Sequence, residues 1–461
     1  MDLKLIEILK IKELSAGYFG DNSIMNQTIQ GISIDSRTVK KNQLFFAIKG
    51  DKFDGHSFVK DVLQKDTCAV VVEKNWFDQN ELNGNFIVVK DTLHALQEIS
   101  GYYRSKFSYP FFSLTGSNGK TTTKEMVAAV LSKRYHVIKN EGNLNNHIGV
   151  PLTLFRLNEN YDIGVIEMGA NHFGEIARLS EISQPDYGLI TNIGPAHLEF
   201  FGSLDGVAKA KTELWKYLET SNGTAFVNLD DDYLSQMIPN AKKVITYGLN
   251  NKADIAGEFI GCDKFGNPRF SVMGTQFKLK VVGMHNIHNA LAAVTVGLEF
   301  NLDMNQIKSA LDDFLPSSKR MEVLREKGFV ILNDCYNSNR LSAEKALITL
   351  NQMQTKGKRI AVLADMLELG ELSEPHHRDI GELATKLSVD YLLCYGELSK
   401  YTVEQARRIG LKKAEHFENK SDLILYLKKL VTPGDVILIK GSRGMAMEEV
   451  TQALTIQTNS F

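Results

Sequence analysis

The sequence predicts an α/β protein of three domains, and three observations carry that prediction. At 461 residues the chain is too long for one hydrophobic core, because domains usually hold roughly 100 to 200 residues. From about residue 108 onward, short apolar runs alternate with helical patterns, the mark of parallel sheets flanked by helices. The pattern changes near residue 105 and again at "DDFLPSSKRME" (312–322), where a proline and two serines follow a helical segment. The expected domains are a small N-terminal α/β domain (1–104), a central parallel-sheet domain (105–315) and a C-terminal doubly wound domain (316–461).

In chain order, "MDLKLIEILKIKEL" (1–14) reads as an amphipathic helix interrupted by charges. "GISIDS" (31–36), "NQLFFAIKG" (42–50) and "TCAVVVEK" (67–74) read as strands, with "DKFDGHSF" (51–58) a turn between them. In the central domain, the apolar runs "FFSLT" (111–115), "IGVIEMG" (163–169) and "YGLITNIG" (187–194) each precede a helical run: "TTTKEMVAAVLSKR", "GEIARLSEI" and "LDGVAKAKTELWKYL" respectively. "NALAAVTVGL" (289–298) has helical character. Beyond the linker, "GFVILND", "RIAVLAD", "DYLLCYG" and "DVILIKG" are buried-strand patterns of a second doubly wound sheet. No internal repeat or low-complexity segment interrupts this order.

Composition narrows the function class. With 43% hydrophobic and 23% charged residues the chain reads as an ordinary globular protein, and a net charge of −2 gives no basic surface for nucleic acid or an anionic membrane. Cys68, Cys262, Cys335 and Cys394 are far apart, which argues against a zinc cluster or a disulfide framework. The start lacks the apolar core of a signal peptide, and no run approaches the roughly 20 apolar residues of a membrane span. A cytoplasmic protein is expected.

The most specific chemistry lies in "FFSLTGSNGKTTTKEM" (111–126). The strict phosphate-loop pattern G-x-x-x-x-G-K-[ST] wants a glycine where this chain has Leu114, yet the context is right: an apolar strand, a glycine turn and a helix. Such a turn offers backbone N–H groups and a positive helix end to phosphate. Thr115, Gly116, Ser117, Asn118, Gly119, Lys120, Thr121 and Thr122 are the expected nucleotide contacts, with Lys120 on the terminal phosphates and the Thr121 hydroxyl on Mg²⁺. Glu167 and His197 follow the next two strands, where they can serve either as metal ligands or as structural hydrogen-bonding groups. Lys209 and Lys211 read by spacing alone as solvated helix lysines. The Asn-rich runs "EGNLNNHIGVP" (141–151), which holds Asn145 and Asn146, and "GMHNIHNALAA" (283–293) fit a ligand loop or a polar turn with a helix cap equally well. In the third domain, Asp334, Tyr336 and Asn337 follow one strand, and Lys440, Ser442 and Arg443 follow another, at the strand ends where open sheets bind ligands.

Across essentially its whole length the chain resembles the Mur ligase family of peptidoglycan synthesis. The resemblance rests on "GISIDSRTVKKNQLFFAIKGDKFDGHSF", "LTGSNGKTTTKEM", "GNLNNHIGVPLTL", "VIEMGANHFGEI", "NIGPAHLEFFGSLDGVAKAKTEL", "MHNIHNALAA", "LADMLELGELSEPHH" and "KGSRGMAMEEV", in the family's order. The family's loop is T-G-x-x-G-K-T-[ST], so Leu114 is the expected residue. The resemblance implies a UDP-binding N-terminal domain, a central ATP-binding domain and a Rossmann-like C-terminal domain. It implies an ATP- and Mg²⁺-dependent amide ligase in which the carboxylate of a UDP-N-acetylmuramoyl-tripeptide becomes an acyl phosphate that the amine of D-alanyl-D-alanine attacks. Lys120, His197 and Lys211 are the implied catalytic residues. Thr121, Glu167, His197 and a carbamylated Lys211 are the implied metal ligands. Asn289 or Asn286 would hold adenine, while Arg320, Asp334 and Tyr336 would hold phosphate and ribose. Ser36, Arg37, Asn145 and Asn146 would meet the UDP-linked substrate. A monomer is expected. Asn42, Ala364 and Arg340 depart from the family's glycine, glycine and proline. Alternatives are a ligase adding the third amino acid, a folylpolyglutamate synthase, and a nucleotide-hydrolysing switch, which would turn over nucleotide without carboxylate or amine.

Overall fold

The computed structural model describes residues 1–455 apart from Asp51, Lys52, Asn250, Lys264, Phe265, Ser317 and Lys327. The start of the "DKFDGHSF" turn and one linker serine therefore lie outside the described residues. The rest of that turn is a 3₁₀ segment, Gly55–Phe58, capped by the Asp54 carboxylate on the His56 N–H.

Three sheets form three domains. The N-terminal sheet holds β1 (Gly17–Phe19), β2 (Ile32–Ser33), β3 (Leu44–Phe46), β4 (Ala69–Glu73) and β5 (Phe86–Val89), in the order β1-β5-β4-β3-β2. β2 to β5 are parallel, and β1 closes the edge antiparallel. The expected N-terminal helix is only Leu5–Ile8, followed by a 3₁₀ turn at Lys12–Leu14. Its apolar residues are buried as the periodicity implies, but the Ile6 N–H bonds to Met25 O and Lys4 pairs with Thr28, so tertiary pairing stops the helix. Asn42 has φ 60, a left-handed conformation that asparagine tolerates, which accounts for a glycine being acceptable there.

The helix Thr92–Ser105 joins this domain to the next. The Asp91 carboxylate caps its start on the His94 N–H at 2.9 Å. Near its end, the buried Arg104 guanidinium donates to the carbonyls of Ser183, Phe107 and Gln184 and lies 3.8 Å from the Phe111 ring centre. One apolar cluster accordingly runs from Leu3 through Ile99 to Leu218, across both domains.

The central sheet comprises β6 (Phe111–Thr115), β7 (Val137–Lys139), β8 (Ile163–Glu167), β9 (Tyr187–Ile190), β10 (Thr224–Asn228), β11 (Lys243–Gly248), β12 (Ile255–Cys262), β13 (Pro268–Val272) and β14 (Thr275–Lys278). Its order is β14-β13-β12-β11-β10-β9-β6-β8-β7. Strands β6 to β12 pair in parallel as expected, but β12, β13 and β14 add an antiparallel extension that the reading of an all-parallel domain missed. Its turn, Met273–Gly274, has both residues at positive φ (48 and 78), the geometry of a two-residue hairpin. The helix Lys120–Leu131 follows β6, and the helix predicted at 204–218 is two, Leu204–Lys211 and Glu213–Ser221.

The C-terminal sheet holds β15 (Glu322–Glu326), β16 (Phe329–Asp334), β17 (Arg359–Ala364), β18 (Tyr391–Tyr395), β19 (Ala414–Phe417) and β20 (Val436–Lys440), in the order β15-β16-β20-β17-β18-β19. Only the edge strands β15 ("EVLRE") and β19 ("AEHF") escaped the sequence pattern, because an edge strand needs no continuous apolar run. Arg340 opens the helix Arg340–Gln352 and pairs with Asp379 at 2.8 Å; proline suits that same first position, so the exchange keeps the turn. Ala364 packs where a Cβ on Gly441 would come within 2.9 Å of its own, so the small residue is required on one side of this contact only. Among the described residues no helix is long and apolar enough to cross a membrane.

Candidate nucleotide and acyl-transfer site

β6 lies between β8 and β9, the point where strand order reverses in the central sheet, and the loop after it faces the C-terminal domain. A cleft of about 900 Å³ opens there, lined by both domains.

The loop 116–119 is pre-shaped. Gly116 (φ 140) packs so closely that a Cβ would lie 2.0 Å from Thr191 Oγ1, and Gly119 (φ 80) caps the helix Lys120–Leu131 from a left-handed conformation beside Asn289. The end of β9 braces the loop: Asn192 accepts from the Asn118 N–H at 3.0 Å and donates to Asn118 O at 2.9 Å, Thr191 Oγ1 donates to the same carbonyl, and Ser117 Oγ donates to Gly194 O. Thr115 is fully buried and its hydroxyl donates to Met168 O, so its side chain braces the strand end and does not line the cleft.

Lys120 is not on a solvent-facing loop. It is the first residue of the helix, half-buried, and its ammonium folds back on Gly116 O (2.7 Å) and Ser117 O (3.3 Å). Burial pulls its pKa down, the Glu167 charge opposes that, and Arg320 adds to it.

Glu167 is 1% exposed at the end of β8. Its Oε1 accepts from Asn145 Nδ2 (2.7 Å) and Thr121 Oγ1 (3.1 Å), while Oε2 has no hydrogen-bond partner among the described residues; the Lys124 ammonium stands 3.7 Å away. A layer that the sequence reading did not reach holds this carboxylate in place. Asn140 grips the Glu167 backbone through both N–H and C=O at 2.9 Å and also donates to Leu144 O, and the fully buried Lys124 donates to Asn140 O at 2.8 Å. Asn146 spends its Oδ1 on the N–H groups of Ile148 and Gly149, starting the helix Gly149–Leu154.

Lys211 is 1% exposed and lies behind the cleft wall, its Nζ 3.5 Å from Ala170 O. Burial, then repulsion from Lys120, brings its pKa down to about 7. The solvated reading of this lysine is thereby overturned: it is a buried amine beside the phosphate loop. His197 (φ 52) reaches the cleft, but its Nδ1 lies 2.6 Å from Glu368 of the C-terminal domain, and that hydrogen-bonding contact holds the Glu368 carboxyl below its usual range against the opposing effect of burial. Among the described residues no three His, Cys, Asp or Glu converge as a metal cage. The open Oε2 of Glu167 beside the Thr121 hydroxyl fits a hard cation that takes its remaining ligands from phosphate and water, which is how Mg²⁺ binds.

Asn286 and Asn289 are both buried. Asn289 Oδ1 accepts from Thr123 Oγ1 and its Nδ2 donates to Asn286 Oδ1, while Asn286 donates to Val282 O. His285 beside them is pushed down to about 3 by burial, then by Lys345 and Lys440, and so stays neutral. His288 and Asp230, 3.0 Å apart, line the same side and were not singled out from the sequence.

From the C-terminal domain, the Arg320 guanidinium stacks 3.7 Å from the Tyr336 ring centre. Asp334 is engaged by the Met321 N–H and by the Lys440 ammonium at 2.6 Å, and Lys440 also donates to Asn337 O. Asn339 reaches across to Asn118 Oδ1 at 3.0 Å. Ser36 and Arg37 sit apart on the N-terminal domain, outside this cleft: Arg37 is exposed and doubly paired with Asp35, and Lys65 donates to Ser36 O.

Comparison with known proteins agrees over the whole length. Models described as "Mur ligase family, catalytic domain", "Mur ligase middle domain" and "Mur ligase, glutamate ligase domain" match residues 28–104, 114–297 and 319–443. The UDP-N-acetylmuramoyl-tripeptide--D-alanyl-D-alanine ligase of Bacillus subtilis is 34% identical over 97% of this chain and 98% of its own, and that of Escherichia coli is 37% identical over 93% and 94%. A crystal structure of MurF from Acinetobacter baumannii superposes with a TM-score of 0.88 at 29% identity, covering 98% of this chain and 99% of that one. MurF ligase from Thermotoga maritima in complex with ADP gives 0.82 at 26% identity, covering 92% and 97%.

Proposed function

The chain belongs to the Mur ligase family, and on that premise we propose that it joins D-alanyl-D-alanine to UDP-N-acetylmuramoyl-tripeptide. It is an ATP-dependent ligase of peptidoglycan precursor synthesis. The observation that carries the reading is the near full-length likeness to ligases of that name, over a cleft that holds a pre-shaped phosphate loop.

In the first step the terminal phosphoryl group of ATP passes to the tripeptide carboxylate and ADP leaves. In the second, the dipeptide amine attacks the acyl carbon, loses a proton, and phosphate departs as the amide forms. The loop N–H groups and the positive end of the helix Lys120–Leu131 receive the phosphates. Lys120, released from the carbonyls it now holds, follows the moving charge. Asn286 or Asn289 orients the base, Arg320 the phosphates, and Asp334 and Tyr336 the ribose side. Thr121, Glu167, His197 and Lys211 as a carbamate would hold Mg²⁺, which when bound neutralises phosphate charge. A Lys211 amine with a pKa of about 7 is about half neutral at neutral pH, and the neutral amine is the form that adds CO₂. Asn145, already on Glu167, and Asn146 border the acyl end of the substrate, while Ser36 and Arg37 mark the domain for its UDP end.

The division at 104/105 and 315/316 is supported by the three sheets and by the ranges of the family models. A soluble, UDP-linked precursor as substrate favours a cytoplasmic location, and the protein is read as a monomer. Phosphate release with ATP, UDP-muramoyl tripeptide and D-alanyl-D-alanine, omitting one at a time, tests the reading. Turnover should require all three, and full turnover without the dipeptide would make the protein a nucleotide-hydrolysing switch instead.

A further inference from the structure

The second substrate of such a ligase is a zwitterion whose amine must reach the acyl carbon while its carboxylate stays out of the reaction. A free carboxylate drawn into a cleft needs a cation that no protein acid already occupies. The cations that line the cleft are Lys120, Arg320, Arg340, Lys345, Lys440 and Arg443. Lys120 serves the phosphate loop, Lys440 is held by Asp334, and Arg340 is held by Asp379. Lys345 is half-buried, lowered in pKa by burial, and borders His285 on the base side. Arg320 is half-buried and stacked on the Tyr336 ring, and the reading above gives it to the phosphates.

Arg443 is the exposed one of these six cations, and, like Lys120, Arg320 and Lys345, it has no carboxylate within ion-pair distance among the described residues. Its guanidinium lies 5.8 Å from the ring centre of Tyr336, the ring on which Arg320 stacks at 3.7 Å, so it stands one aromatic side chain beyond the phosphate-directed cation. Its loop is held firmly: Ser442 N–H donates to Asp365 O, and Ser442 Oγ accepts from the Leu367 N–H and donates to Ser338 O. We propose that Arg443 seats the carboxylate of the incoming D-alanyl-D-alanine and so reads that the acceptor ends in a free acid. This rests on the ligase reading above.

The test compares D-alanyl-D-alanine with D-alanyl-D-alaninamide, which keeps the amine and lacks the acid, on the wild-type protein and on Arg443→Gln, with Arg443→Lys as the conservative variant. A charge-assisted bond to a carboxylate is worth roughly a ten- to hundredfold change in affinity. The wild type should show a KM higher by that factor for the amide. Arg443→Gln should show the raised KM for the acid, treat acid and amide alike, and keep its KM for ATP and for the UDP-tripeptide; Arg443→Lys should recover part of the preference. Undiminished preference for the acid in Arg443→Gln, or no preference in the wild type, would overturn the proposal and leave the ligase reading standing. ATP turnover that needs no dipeptide would overturn both.

Discussion

Replacing Lys211 by methionine should stabilise the metal-free protein, by an amount that depends on pH in a defined direction. The amine is 1% exposed, its nearest acceptor is Ala170 O at 3.5 Å, and its pKa falls from 10.5 to about 7. At 1.36 kcal/mol for each tenfold change, that displacement sets a ceiling of roughly 5 kcal/mol, and relaxation brings the expected penalty to about 2 to 4 kcal/mol. Between about pH 7 and 10.5 the unfolded chain keeps the Lys211 proton while the folded chain has lost it, so stability rises with pH across that window. The contribution is complete above the unfolded value, is lost as pH falls toward 7, and changes no further below it. Methionine has no proton to lose, so the advantage of Lys211→Met should be largest near pH 7 and shrink toward pH 10. The assay is urea unfolding in CO₂-free buffers, read from the fluorescence of Trp215, which is buried in the central domain; Trp76→Phe as background leaves Trp215 as the only reporter of the two tryptophans. A difference between lysine and methionine that stays constant with pH would show that the amine titrates normally, and the route to a carbamate would fall with it.

Four further outcomes follow from the same geometry. Lys211→Arg should be inactive in steady-state turnover, because arginine keeps the charge and cannot become a carbamate; an active variant would remove this lysine from the metal site. Lys120→Ala should lose at least a hundredfold in ATP turnover, roughly the worth of one preorganised charge on a developing anion, while its circular dichroism spectrum shows the fold retained despite the loss of the bonds to Gly116 O and Ser117 O. Glu167→Gln keeps the shape and the Asn145 contact but not the charge, so calorimetry with a non-hydrolysable ATP analogue should show Mg²⁺ binding weakened about 10- to 100-fold. Gly119→Ala forces a left-handed residue with its Cβ 2.6 Å from Asn289 Oδ1, and thermal unfolding should show a loss of about 1 to 3 kcal/mol.

The strands and helices that bear the site were legible because each is a local pattern. "FFSLT" and "VILIK" are apolar on both faces and are central parallel strands; "GSNGKT" sits at a strand-to-helix turn and is the loop of the cleft. Edge elements were not legible for the converse reason. "EVLRE" and "AEHF" are half-solvated, and the hairpin after Ile255 hid its alternation behind a Met-Gly turn that lacks the usual asparagine or aspartate. The residues around Glu167 divide the same way. Its position after an apolar strand marked it, but Asn140 and Lys124 are polar residues with no motif, and their role depends on segments 16 to 43 residues away in the chain.

Local chemistry alone therefore determined the class of fold, the phosphate loop and the residue types that can meet ATP and a metal, since these depend on period, turn residues and neighbouring side chains. Tertiary structure decided the state of each group. Lys211 reads as an ordinary helix lysine until burial, and then Lys120 beside it, lower its pKa to about 7, and Arg443 reads as one member of a polar strand-end cluster until the structure leaves it exposed on the cleft without a carboxylate partner among the described residues. Charge and pKa are set by everything within a few ångströms in space, and most of that arrives from distant parts of the chain.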